Sequence, residues 1–136
     1  GLSHAYKAVL IGAGNLGRAI ASHLSFETEG FTLVGIFDNS DTKIGQTING
    51  LTVRNIDTLE RFCNLEKPTM AVLCVPRSAV SFSDRLYALG IRCFWNFSHY
   101  DISMKYADAI VENVHLNDSL MTLCYRITNE PMHPTK

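Results

Sequence analysis

The residues best arranged for chemistry are Gly12-Ala13-Gly14-Asn15-Leu16-Gly17, a G-x-G-x-x-G run. It follows the apolar segment Lys7–Gly12 and opens an amphipathic one, where a diphosphate would need it. Gly12 would permit the tight turn. Gly14, without a Cβ, would let a phosphate approach the backbone, and Gly17 would let helix and strand pack closely. The phosphates would then lie on N–H groups at the helix start, where the helix dipole also favours negative charge.

Asp38 completes the pattern, about 20 residues beyond the last glycine. A carboxylate there can accept hydrogen bonds from adenosine ribose hydroxyls and would repel a 2′-phosphate, which favours NAD(H) over NADP(H).

Two further groups fall where strands should end. Val75-Pro76-Arg77 closes an apolar run and would line the crevice opposite the glycine loop; alternatively Pro76 only stops the strand and Arg77 is a solvated helix-start charge. Asn96-Phe97-Ser98-His99-Tyr100 would lie on the same rim, offering an amide and a hydroxyl to a carboxamide and an aromatic ring for stacking. His99 and Tyr100 are the acid–base candidates on that edge, although a lone loop histidine is more often a surface residue.

The elements that must position these groups alternate along the chain. Lys7–Gly12, Phe31–Phe37, Leu51–Arg54, Met70–Val75, Ile91–Phe97 and Ala109–Val114 read as strands. Asn15–Leu24, Asp57–Leu65, Ser78–Leu89 and Leu116–Ile127 read as helices, the third ended by Gly90. The expectation is a Rossmann-type α/β fold: a doubly wound parallel sheet with helices on both faces, in one domain over residues 1–136. The apolar stripe of Leu116, Leu120, Leu123, Cys124 and Ile127 either packs on its own sheet or enters a partner subunit as a dimerisation helix.

Composition excludes several classes. The formal net charge is −1 and no Lys/Arg cluster occurs, so a chain that grips DNA unaided is not expected. No apolar run reaches the ~20 residues of a membrane span. Cys63, Cys74, Cys93 and Cys124 include no C-x-x-C pair, which argues against a disulfide framework or metal site and fits a reducing cytoplasm.

Taken together, these motifs resemble the Rex family of redox-sensing repressors. The likeness runs through G-x-G-N-L-G at Gly12–Gly17, F-D-x-x-x-x-K-I-G from Phe37 to Gly45, and V-P at Val75-Pro76. It continues with A-L-G-I at Ala88–Ile91, N-F at Asn96-Phe97 and E-N-V-x-L at Glu112–Leu116. The resemblance implies a non-enzymatic domain that binds NADH and NAD⁺ and reports their ratio. The implied cofactor-binding set is Gly12, Gly14, Asn15, Leu16, Gly17, Asp38, Asn39, Lys43, Val75, Pro76, Arg77, Asn96, Phe97 and Ser98, with no catalytic or metal-binding residue. It also implies a homodimer with exchanged C-terminal helices, and an N-terminal winged-helix domain, absent from this chain, that holds operator DNA until NADH binds. Ser98-His99 and His115 depart from the family's usual N-F-A-P or N-F-T-P and E-N-V-D residues. A small NAD-dependent oxidoreductase and a CoA-binding domain are the competing readings.

Overall fold

In the computed structural model the described residues are 6–23, 30–75, 79–98, 101–114 and 126. Seven strands form one sheet: β1 (Tyr6–Ile11), β2 (Phe31–Asp38), β3 (Thr47–Ile48), β4 (Leu51–Asn55), β5 (Met70–Leu73), β6 (Cys93–Asn96) and β7 (Ile110–Asn113). Their spatial order is β3-β4-β2-β1-β5-β6-β7. All neighbours run parallel except the two-residue β3, which is antiparallel to β4. The expected doubly wound sheet is therefore present.

The central strands contain little polar sequence because both faces are covered, as a parallel sheet requires. Ala8 to Ile11 and Ala71 to Leu73 are fully buried. Alternate residues feed opposite layers. Ala8, Leu10, Ile36, Val53 and Val72 pack with Ile20 and Ala21 of α1 (Asn15–His23). Val9, Ile11, Phe37, Ala71 and Leu73 pack instead with Leu59 and Cys63 of α2 (Leu59–Glu66) and Leu86 of α3 (Ala79–Ala88).

Element boundaries follow local chemistry. The helix expected from Asp57 begins instead as a 3₁₀ turn at Ile56–Thr58, because the Asn55 side chain accepts the Asp57 N–H and caps that turn. Helix α3 does end before Gly90, which takes φ +95°. The strands at Met70, Cys93 and Ile110 are shorter than their apolar runs. A hairpin joins β3 to β4 through Asn49 and Gly50, with φ of 50° and 85°. That N-G pair between Ile48 and Leu51 is a strong turn signal, although the sequence analysis assigned no element between Phe37 and Leu51. The expected helix 116–127 lies outside the described residues, apart from Arg126.

Candidate functional site at the carboxyl ends of the strands

The chain leaves β1 in one direction, towards β2 and β4, and later returns to place β5 on the other side of β1. Loops leaving β1 and β5 diverge, opening a crevice at the switch in strand order. Every described residue of the expected site lies on or beside the carboxyl edge facing that crevice or in the segment that follows β2.

The glycine loop fills the switch point. Gly12 donates its N–H to the Phe37 carbonyl at 2.8 Å, while Cys74 N–H donates to the Ile11 carbonyl at 2.8 Å. Gly12 has φ +105°, and a Cβ there would stand 2.8 Å from the Cys74 carbonyl oxygen and 3.0 Å from Val75 Cγ1. A Cβ on Gly17 would fall 1.7 Å from the Gly12 carbonyl oxygen, so helix and turn meet at a distance only glycine allows. Gly14 differs: a Cβ there would meet nothing within 4 Å. Its restriction is thus not packing within the fold, and its open side is available to a bound group. Asn15 starts α1, and half-buried Leu16 packs on the α1-side core. The first turn of an α-helix directs N–H groups out along its axis, towards whatever sits at its start.

Asp38 ends β2 beside this loop. Its Oδ2 accepts the Ala13 N–H at 2.7 Å and its Oδ1 accepts the Ser40 N–H at 2.8 Å. A carboxylate has about four acceptor positions, so both oxygens can still receive a hydroxyl. Asn39 is exposed at the following turn, and Lys43 N–H closes that turn on the Ser40 carbonyl at 2.9 Å. Beyond it Gln46 takes a hydrogen bond from the Arg18 guanidinium, joining this segment to α1.

On the opposite wall Val75 is half-buried against the α2/α3-side core and abuts the glycine turn. Pro76 and Arg77 lie outside the described residues, as do His99, Tyr100 and His115. At the end of β6, Phe97 N–H donates to the Leu73 carbonyl at 2.9 Å, and the Phe97 ring lies 5.1 Å from that of Trp95. Asn96 and Ser98 are buried and bonded to each other: Ser98 N–H and Oγ–H both donate to Asn96 Oδ1, at 3.0 and 2.6 Å. Their polar groups shape the loop itself, a role the sequence reading did not assign them. Asn113, bonded to Asn96 from β7, also escaped that reading, although it stands in the E-N-V segment.

The titratable groups with resolved shifts stand on the far layer and the β7 side. Arg85 grips Glu60 through two hydrogen bonds, of 2.6 and 2.7 Å, and also donates to the Ile56 carbonyl at 2.9 Å. The guanidinium holds the Glu60 carboxyl below its usual range, and the carboxylate raises Arg85 in return. Burial pushes the Cys63 thiol up to about 11. No cluster of three His, Cys, Asp or Glu residues able to hold a metal occurs among the described residues. Nor, among them, is any helix long and apolar enough to cross a membrane.

Residues 3–100 match the family model of the CoA binding domain. The redox-sensing transcriptional repressor Rex of Thermoanaerobacter pseudethanolicus is 44% identical over 133 residues, covering 97% of this chain and 59% of that protein. The chain thus spans about three fifths of the curated relatives it matches. RSP, a Rex-family repressor, has been solved in complex with β-NADH; it superposes with a TM-score of 0.78 at 43% identity, over 95% of this chain and 62% of RSP. RSP with β-NAD⁺ and operator DNA gives a TM-score of 0.76 at 43% identity, over 96% of this chain and 60% of RSP. The resemblance found in the motifs is borne out over nearly the whole chain.

Proposed function

The chain belongs to the CoA binding domain family, and on that premise we propose that it is the NAD(H)-binding, redox-sensing part of a Rex-type transcriptional repressor. The observation that carries the ligand choice is Asp38. Its carboxylate is held by the Ala13 and Ser40 N–H groups, so it stays at the ribose position and cannot easily swing away. There it accepts the adenosine 2′- and 3′-hydroxyls of NAD(H) and repels a phosphate on either. NADP(H) carries that phosphate at the 2′ position and CoA at the 3′ position, so both are disfavoured.

In this reading the diphosphate lies over Gly14 at the start of α1, and Val75 and Pro76 flank the nicotinamide half together with Arg77 and the Asn96–Ser98 loop. Asn39 and Lys43 belong to the adenosine end. The RSP complexes with NADH, and with NAD⁺ and operator DNA, support the same cofactor and the same response.

Sensing requires NADH and NAD⁺ to favour different arrangements, because a ligand with equal affinity for both shifts nothing. With a net charge of −1, this part does not supply the DNA grip. That role falls to an N-terminal winged-helix domain, in keeping with the part of the relatives that this chain does not span. Two copies act as a homodimer through helix 116–127, in the cytoplasm, and bind the cofactor without turning it over.

A calorimetric titration with NADH, NAD⁺, NADPH and CoA in parallel tests the proposal. Tight NADH binding, with much weaker NAD⁺ and NADPH, is expected. A preference for CoA, or no binding of either nicotinamide nucleotide, overturns the reading while leaving the fold intact.

A further inference from the structure

Asn96 and Asn113 occupy facing register positions on β6 and β7. Asn96 is 1% exposed and Ser98 2%, whereas Asn113 stands exposed on the edge strand. The Ser98 N–H can only donate, so the atom of Asn96 that receives it must be the amide oxygen. The orientation of the buried amide follows from that single constraint. Its nitrogen faces β7 and donates to Asn113 Oδ1 at 2.9 Å. The Val114 N–H adds a second tie, donating to the Asn96 carbonyl at 2.9 Å. A continuous relay therefore runs from the rim at Ser98, through Asn96, to the point where the chain leaves the edge strand.

Resting on the NAD(H) reading above, we propose that Asn113 is a positioning residue for the nicotinamide half of the site. Asn113 touches neither the glycine loop nor Asp38 in the structure; it acts through Asn96. Its side-chain carbonyl oxygen reinforces the orientation of the buried amide that keeps Ser98 folded back onto it. Without that acceptor the Asn96 N–H loses its partner on β7, and the buried amide holds the Ser98 loop less firmly. The loop then lets the nicotinamide ring shift, while the adenosine and diphosphate contacts at Asp38 and Gly14 remain.

The test compares NADH with ADP-ribose, which has the same adenosine and diphosphate but no nicotinamide. Titrated into the Asn113→Ala protein, NADH should bind about tenfold more weakly than to the parent, the scale of one lost hydrogen bond in a buried network. ADP-ribose should bind both proteins alike. The emission shift of bound NADH should move towards that of free NADH. Asn113→Asp keeps an acceptor oxygen facing Asn96 and should restore NADH affinity to within about twofold. Unchanged NADH affinity in Asn113→Ala, equal losses for NADH and ADP-ribose, or an Asn113→Asp protein as weak as Asn113→Ala would each overturn the assignment. Should Asn113→Ala not fold, Ser98→Ala takes its place, with the same selective loss of NADH expected and an equal loss of ADP-ribose counting against it. Failure of the parent chain to bind either nucleotide would instead bring down the proposed function.

Discussion

The carboxylate of Asp38 accepts the N–H of Ala13 at 2.7 Å, across 25 residues of sequence, and so joins the end of β2 to the glycine loop. These two parts of the candidate site are built as one unit. Disturbing either residue alters the other.

Replacing Asp38 with Ala should weaken NADH binding by about 10- to 100-fold, since hydrogen bonds to a charged group contribute about 1.5–3 kcal/mol. Asp38→Asn should lose less and should narrow the gap between NADH and NADPH, because the repulsion of a 2′-phosphate disappears. Calorimetric titration of the three proteins with both nucleotides reads this directly. An unchanged NADH dissociation constant in Asp38→Ala would sink the ribose assignment.

Gly14 and Gly17 should respond in opposite ways to alanine. At Gly17 the added methyl would lie 1.7 Å from the Gly12 carbonyl, so helix and turn must part, costing roughly 3 kcal/mol or more of stability. At Gly14 the methyl meets open space in the protein, and stability should change by less than about 1 kcal/mol. NADH binding to Gly14→Ala should nevertheless fall by at least about tenfold, because the methyl occupies the approach of the diphosphate. Thermal melts with and without NADH separate the two effects, and an unchanged NADH affinity in a stable Gly14→Ala would count against a diphosphate there.

Acid should weaken the tie between α2 and α3. The Arg85 guanidinium lowers the folded-state pKa of Glu60 below its unfolded value. The stabilisation is therefore complete above the unfolded value and is lost as pH falls through the lower folded one. Both side chains are about a third exposed or more, so the contribution is about 0.5–1 kcal/mol after screening. Glu60→Gln should lower the stability measured in urea at pH 7, and the difference from the parent should shrink steadily below about pH 4. A difference that persists in acid would show that the charge is not its source.

Cys63 should be inert. Burial raises its thiol pKa to about 11, so little thiolate exists near neutrality. The folded value lies above the unfolded one, so this thiol favours the folded state up to the unfolded pKa and loses that contribution as pH rises through 11. An aromatic disulfide reagent at pH 8 should label Cys63 only as fast as the protein opens. Rapid labelling mapped to Cys63 itself, as distinct from the half-buried Cys93, would contradict its burial.

Much of this molecule was legible in its sequence, and the legible parts share a property. The glycine run, the apolar strands, the Gly90 helix stop and the distance to Asp38 are local patterns, fixed by steric and hydrophobic rules over a few residues. They were enough to determine a parallel sheet with a dinucleotide fingerprint. Asn49-Gly50 was equally local, and its hairpin was missed only because the flanking strand is two residues long.

Only the tertiary structure decided how the site's polar groups are spent. Asp38 with Ala13, Asn96 with Asn113, and Val75 against Gly12 are partners 25, 17 and 63 positions apart along the sequence. Their meeting depends on strand order and register, and hydrophobic periodicity specifies neither to the precision of a hydrogen bond. A period says which face a residue takes. The neighbouring strand says which atom it finds there.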